Sequence, residues 1–532
     1  MTLATGTLQV VTQPLGGSPL SRAARAGQLP EWYRPAPRTP AEWTAYARDV
    51  ASSVSRDWLS ELEPAIVPRG AAAARLRGAA QASGIVVTTG QQPGLFGGAL
   101  MTFIKALSAR AHADLLQETL GIPVAPLFWA ATDDADFDEA AAVSVALEGG
   151  ARELRLAQRA AAGTPMALTP LGPEVRALAA LLRDACGSAS HAHYLNAALA
   201  AYVEGATVGD AYLSLLRDVL EPLEISVIDA SHPAVSRAAA STLRRAARDA
   251  AAVAGALAAR DSAIAAAGFS VQVESVEGMS LVFLNEHGMK RRLPIDEATG
   301  LGTPPQGTFL SPTALLRPVV ERAILPTAAY VGGPGEVAYF AQVSAVAAAV
   351  GVAAPLVVPR WSATVVEPRV QRILDELGLD LDAFADPHRA EAVVAVRRVP
   401  AAAAAAIAAM RSDVERSVAA LGAANGGLVA GAVLDGFRHA LAHRIDRLER
   451  RVLAAVKRRE TDAMARVATA RGSLFPHGVR QERKLGFTPF LARYGQPLID
   501  DMLVAARVHA RTSIHQPPAP SPTQSSAAPA RV

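Results

Sequence analysis

Apolar positions change their period several times along the chain, and the changes divide it into elements. The run IVVTTG at 85–90 is β-branched and bounded by glycine on both sides, the pattern of a buried strand. The glycine-rich turn QQPGLFGG follows, ALMTFIKALSARAHADLLQETLG continues with helical spacing, and PVAPLFWAATDD reads as a second apolar strand. Strand, turn, helix and strand make one βαβ unit, the building block of a parallel sheet. EISVIDAS at 224–231, AILPTAAYVGG at 323–333 and PLVVPR at 355–360 supply further core strands. Two insertions interrupt the series. One, at about 150–222, starts with the hairpin-like ARELRLAQR and goes on as helices. The other, at about 270–308, alternates and turns at EHG, which predicts antiparallel strands. An Ala/Arg-rich helix is predicted from Val235 to Gly268.

The flanks differ. Residues up to about 40 are rich in Pro and Gly without periodicity and predict an irregular arm; Pro40 to Gly84 is helical, completing a 1–84 segment ahead of the 85–367 core. From 368 to 470 the pattern turns to long helices. Phe437, Leu441, Ile445, Leu448, Val452 and Val456 recur every three or four residues, opposite an arm carrying Ile407, Met410, Val414, Val418 and Leu421, with AANGG as the break. A coiled-coil-like helical hairpin is predicted. A compact, mixed segment at 471–510 returns to the core, and a low-complexity tail at 511–532 is expected to be disordered. The fold class is therefore α/β, a parallel-sheet core with inserted subdomains and a helical hairpin domain.

Composition narrows the function classes. The chain has 532 residues with 52 Lys+Arg against 49 Asp+Glu, so charge is nearly balanced and no basic block favours nucleic acid. Lysine occurs only at Lys105, Lys290, Lys457 and Lys484, an arginine and alanine bias that reflects genome composition rather than chemistry. The single cysteine, Cys186, excludes an internal disulfide framework and a multi-cysteine metal site, reads as an inert helix-end thiol, and fits a reducing cytoplasm. No signal peptide is evident. Val337 to Pro359 is uncharged and long enough to span a bilayer, but Gly351 and Pro355 punctuate it, so a core helix and a strand are expected instead of a membrane span.

Three constellations can carry chemistry. In the first, the turn at 90–98 places backbone N–H groups and a helix start at the sheet's carboxyl edge, where Gly94, Gly97 and Gly98 permit close approach and Gln91 and Gln92 offer hydrogen bonds to an anion. The spacing is neither a dinucleotide fingerprint nor a P-loop. Lys105, two turns into the helix, reads equally as a packing lysine or a ligand. The second is FWAATDDADFDE, which crowds Asp133, Asp134, Asp136, Asp138 and Glu139 at the end of a core strand. Such carboxylates can hold an amine or Mg²⁺ or act as a base; the structural alternative is an acidic helix start. The third joins Arg317, suited to a carboxylate or phosphate, to the turn Gly332, Gly333, Pro334, Gly335 with Glu336, Tyr339 and Gln342 behind it. His439 and His443 have metal-ligand spacing without an acidic or thiol partner, so they read as a solvated helix face, and no metal site is assigned.

These strings, with PRWSATVVEP and LFPHGVRQERKLGFTPFLARYG, run in order from Thr88 to Tyr494 and resemble the bacillithiol biosynthesis cysteine-adding enzymes, a family of cysteine ligases. The resemblance implies a Rossmann-like core, a coiled-coil domain supporting a homodimer, a cytoplasmic role, and addition of L-cysteine to the amino group of glucosaminyl-malate. The family pattern leads us to expect a histidine between the aspartates, where this chain has Ala135. Amide formation needs an activated carboxyl, so ATP is the chemical expectation, although no nucleotide fingerprint identifies it. Two rival readings are a ligase or transferase of the same architecture for another amino acid or thiol, motivated by Ala135, and a non-catalytic coiled-coil scaffold.

Overall fold

The computed structural model describes residues 7–157, 161–386 and 388–514. They form two compact units, one of Val10–Val145, Glu153–Thr364 and the chain from Glu482 on, the other chiefly Val365–Gln481. The part of the expected tail beyond Ile514 lies outside the described residues, as do 1–6 of the arm and 158–160 of the first insertion.

Five strands build the sheet of the larger unit: β1 (Ile85–Gln91), β2 (Val124–Ala130), β3 (Ser226–Asp229), β4 (Thr327–Gly332) and β5 (Val357–Pro359). Their order is β5-β4-β1-β2-β3, parallel throughout. Helices cover both faces, so the strands are apolar runs rather than alternations, with Val86, Val87, Leu127 and Phe128 withdrawn from water. The chain leaves β1 toward β2 and β3 on one side, then returns to β4 and β5 on the other. The crevice between the carboxyl ends of β1 and β4 is thus the topological switch point, where open parallel sheets bind ligands.

Helix α1 (Leu100–Leu120) follows β1, α2 (Arg317–Ile324) precedes β4, and α3 (Pro334–Val350) follows it. The uncharged stretch divides as expected into most of α3, ended by Gly351 at φ 72°, and β5. α3 is apolar on most sides because it is buried on most sides. No single helix among the described residues is long and apolar enough to cross a membrane; one pair, Arg389–Arg397 with Ala401–Ala424, passes on length and composition together and is bent by 103°.

The second insertion is an antiparallel sheet of Met279–Glu286, Met289–Pro294 and Phe309–Pro312, with the first strand central. Its tight turn, His287-Gly288, holds both residues at positive φ, 50° and 77°, as the EHG signal anticipates. The first insertion carries the helices Val175–Cys186, Ala192–Ala201 and Val208–Leu220. Cys186 ends the first of them, and burial pushes its thiol up to about 11.

Three expectations change. The N-terminal arm is ordered: Gln9–Thr12 is a strand and Pro19–Arg25 a helix capped by Ser18, while Leu20, Leu29 and Trp32 pack with Ile264 and Ala338. A few large apolar anchors order it without any periodicity. The helix expected over 235–268 is two, Pro233–Arg248 and Ala250–Ala266, broken at Asp249. The C-terminal segment is mostly one long helix, Thr488–Ile514, interrupted at Gly495, so Arg511 to Ile514 are helical rather than disordered.

In the smaller unit, Ala401–Ala424 and Gly431–Arg459 form a helical hairpin. The chain turns where Leu428 N donates to the Asn425 carbonyl (3.0 Å) and Gly426 and Gly427 adopt positive φ. Along the two helices the buried residues are Val418 and Ile445.

Candidate active site

A cleft of about 760 Å³ opens at the carboxyl edge of the sheet, lined by Gly90 and Gln91 at the end of β1, by Gln92 just after it, and by Gly333 to Glu336 at the start of α3. Lys105 joins the two sides of the switch point. Its Nζ donates to the Gly90 carbonyl (2.5 Å) and to Gln91 Oε1 (3.1 Å) and lies 2.7 Å from Glu336 Oε2. Burial lowers the Lys105 pKa, and Glu336 pulls the other way. Burial would raise the Glu336 carboxyl, but Lys105 and the Tyr330 hydroxyl outweigh it and hold it below its usual range. Glu336 also accepts from Gly333 N (2.7 Å), closing the first turn of α3.

Arg317, the first residue of α2, is set differently. Its Nη2 donates to the Tyr330 and Tyr339 hydroxyls (3.2 Å each), and its nearest carboxylate is Glu321 at 3.8 Å. A Cβ on Gly90 would sit 3.1 Å from Arg317 Nη1 and 2.9 Å from the Trp129 carbonyl, so glycine lets the guanidinium close onto the strand end. The neighbouring buried cations are matched more tightly. Lys290 Nζ reaches the Asp133 carbonyl (2.6 Å) and Oδ2 (3.0 Å), and Arg360 forms two hydrogen bonds to Glu482 (2.8 and 2.9 Å).

Asp133, Asp134 and Asp136 of the acidic cluster line the same cleft; Asp138 and Glu139 do not. Asp134 accepts from Gln92 Nε2 (2.7 Å) and from Asp136 N (2.8 Å). Asp136 accepts from Glu139 N (3.2 Å), capping the short helix Phe137–Ala140 and so filling the structural role the sequence offered as an alternative. Burial and the neighbouring Asp136 and Asp134 raise the Glu139 carboxyl. Ala135 lies in the lining between the aspartates, and that lining contains no histidine.

Of the residues proposed from sequence, Gln91, Gln92, Asp133, Asp134, Asp136, Arg317, Gly333, Glu336 and Tyr339 line this cleft; Gly94, Gly97, Gly98 and Gly332 do not. The reading of the first turn as an anion cradle needs correction. Gly97 N is engaged by the Gly94 carbonyl and the Tyr202 hydroxyl (3.0 Å each), Gly98 N by the Leu95 carbonyl, and Leu100 N at the start of α1 by the Leu485 carbonyl (2.7 Å). A Cβ on Gly97 would lie 2.5 Å from the Phe487 ring, and one on Gly94 2.6 Å from Gly98 Cα. These glycines fold the turn against protein rather than leave room for a ligand. At Gly332 a Cβ would meet Glu336 and Val357. Gln342 is likewise structural, donating to Asp261 and the Val273 carbonyl.

The sequence left Lys105 undecided and did not single out Lys290, Arg292, Arg360 or Arg483, all of which line the cleft. A signal existed: in a chain that otherwise uses arginine, two of the four lysines are here. Among the described residues no group of three His, Cys, Asp or Glu is arranged to hold a metal ion.

Comparison with known proteins agrees with this architecture. The family model for "Bacillithiol biosynthesis BshC, N-terminal Rossmann-like domain" matches residues 49–301 and 303–361, and that for the BshC C-terminal coiled-coil domain matches 363–512. Relatives named "Putative cysteine ligase BshC" are similar over most of the chain. The Solibacter usitatus protein is 30% identical over 84% of this chain and 88% of its own length. Those of Koribacter versatilis (30%; 79% and 81%) and Symbiobacterium thermophilum (32%; 78% and 80%) align comparably.

Proposed function

The chain belongs to the bacillithiol biosynthesis BshC family of cysteine ligases, and from that membership we propose that it joins the carboxyl of L-cysteine to the amino group of glucosaminyl-malate. One observation supports this reading most. Arg317, a buried cation 3.8 Å from its nearest carboxylate, shares a cleft with Asp134 and Asp136. Glucosaminyl-malate carries the complementary pair, malate carboxylates for Arg317 and an amine for the aspartates.

Carboxylate and ammonium do not condense at neutral pH, so the cysteine carboxyl must arrive activated. ATP is the activator we propose, its phosphoryl or adenylyl group departing with the carboxyl oxygen as the amine nitrogen attacks the carbonyl carbon. Asp134, oriented by Gln92 and the Asp136 backbone, accepts the proton the amine releases. Lys105 and Gln91 are tied to each other and to the end of β1, which holds this edge of the cleft rigid during the exchange.

Purified protein incubated with L-cysteine, glucosaminyl-malate and ATP should give bacillithiol, detected by mass. Asp134→Asn should lower kcat by about 10²–10³, and Arg317→Ala should raise KM for glucosaminyl-malate at least tenfold. A second reading, a ligase for a different amino acid or thiol, draws on Ala135. It gains if no bacillithiol forms but another amino acid or thiol is consumed with ATP.

A further inference from the structure

Glu321 lies one helical turn beyond Arg317 in α2, 1% exposed, and its Oε2 accepts no hydrogen bond. The 3.8 Å separating it from Arg317 Nη1 is too long for one. The groups that face it are Arg317 on its own helix, Thr88 on β1, Lys105 on α1 and Glu336 on α3. Lys105 and Glu336 neutralise each other at 2.7 Å, and the phenols of Tyr330 and Tyr339, raised by burial, stay protonated. Thr88 offers a neutral hydroxyl, so as charges Glu321 and Arg317 are left to one another, near enough to feel each other's charge and too far apart to bond. Burial pushes the Glu321 carboxyl up to about 7 against the pull of Arg317 and the Thr88 hydroxyl.

We infer that Glu321 is a displaceable counter-charge and thereby a positioning residue: it balances Arg317 while the cleft is empty and takes a proton from solvent when an anionic group of the substrate claims the guanidinium. No other bond changes in this step. Without the proton, an incoming anion would meet a second buried negative charge directly behind the cation that receives it. With the proton, Arg317 is free to pair with the ligand alone. The inference rests on Arg317 as the anion acceptor in the proposed function but not on which anion the enzyme uses.

Sulfate, which does not titrate near neutrality, is the probe, measured by calorimetry on the full chain in buffers of different ionisation enthalpy. Wild-type protein should take up close to one proton per sulfate at about pH 8, and its affinity should fall above neutrality toward about tenfold per pH unit. Glu321→Gln should bind sulfate with no uptake and little pH dependence, and Arg317→Ala should not bind it. Should Glu321→Gln fail to fold, difference infrared spectra of the wild type must show sulfate adding a protonated-carboxyl C=O band. The inference is overturned by absent sulfate binding, by binding that takes up no proton, by a missing infrared band, or by an unchanged pH dependence in Glu321→Gln, which would assign the titration to Lys105. Proton-linked sulfate binding by a protein that makes no bacillithiol would retain this role for Glu321 and remove the substrate assignment.

Discussion

The two units treat polar groups on helices in opposite ways. In the sheet unit, α1 buries Lys105, Ser108, His112 and Asp114 among its apolar residues, and each is held by a specific partner: Lys105 by Glu336, Ser108 by the Ile104 carbonyl, His112 by the Ser108 carbonyl, Asp114 by Arg110 and Arg507. On the hairpin, two longer helices leave nearly every polar side chain in water, and apolar Phe437 (53%) and Leu448 (42%) are exposed as well. A buried polar group costs stability unless paired, so its partner is constrained. A solvated one is free to vary. Polar residues are therefore informative about the site in the first unit and about solubility in the second, whereas on the hairpin the apolar stripe is the informative feature.

This contrast predicts a graded series of effects. The largest belongs to Gly97→Val. A Cβ there would sit 2.5 Å from the Phe487 ring at φ 90°, so steric overlap adds to backbone strain. A loss of about 4 kcal/mol or more is expected, from the sum of the two, read as little folded protein or a collapsed thermal midpoint. A stable, inactive variant would instead restore the anion-cradle reading of this turn. Next comes Arg360→Met, which strands Glu482 without its partner, both groups being nearly inaccessible. About 3 kcal/mol should be lost, and Arg360→Met with Glu482→Leu should recover most of it. Burial would raise the Glu482 carboxyl, but Arg360 and the Ser362 hydroxyl outweigh it and hold it below its usual range. The pair's contribution is thus present at neutral pH and lost as pH falls through the depressed value, so denaturation curves of Arg360→Met and wild type should converge in acid.

How much of this was legible beforehand follows the same division. The βαβ unit from Ile85 to Ala130 could be read because strands covered on both faces must be apolar and β-branched, and the aspartates because a run of carboxylates after such a strand is conspicuous. The EHG turn declared itself through glycine. Lys105 could not be settled, since its helical position does not say which face is buried, and its partner Glu336 lies far along the chain. Glycines at 94, 97 and 98 say that space is tight without saying what fills it; Phe487, just ahead of the C-terminal helix, fills it at Gly97. Glu321 gave no signal, because an i,i+4 carboxylate after arginine usually means a solvated pair.

The hairpin's exposed stripe makes the third expectation one of assembly. We propose that a second copy of the chain covers it, as coiled-coil faces are normally covered. Leu441→Glu with Leu448→Glu should then halve the mass measured by light scattering at micromolar concentration while leaving the spectrum of the sheet unit unchanged. A wild-type protein that is already monomeric would end the proposal.

The smallest effect should come from Arg411→Ala. Arg411 reaches Asp446 (2.8 Å) and Glu449 (3.0 Å) on the facing helix, distances as short as those of the Arg360 pair. Geometry alone would rank the two alike. The difference is the medium: water already solvates all three hairpin side chains, so removing the guanidinium leaves two carboxylates that water can satisfy, and salt screens what attraction remains. The thermal midpoint of Arg411→Ala should therefore match wild type within error, and more closely still at high salt. A loss comparable with Arg360→Met would mean that these charges are desolvated in solution, which would place Arg411 inside the contact between copies rather than on its wet rim.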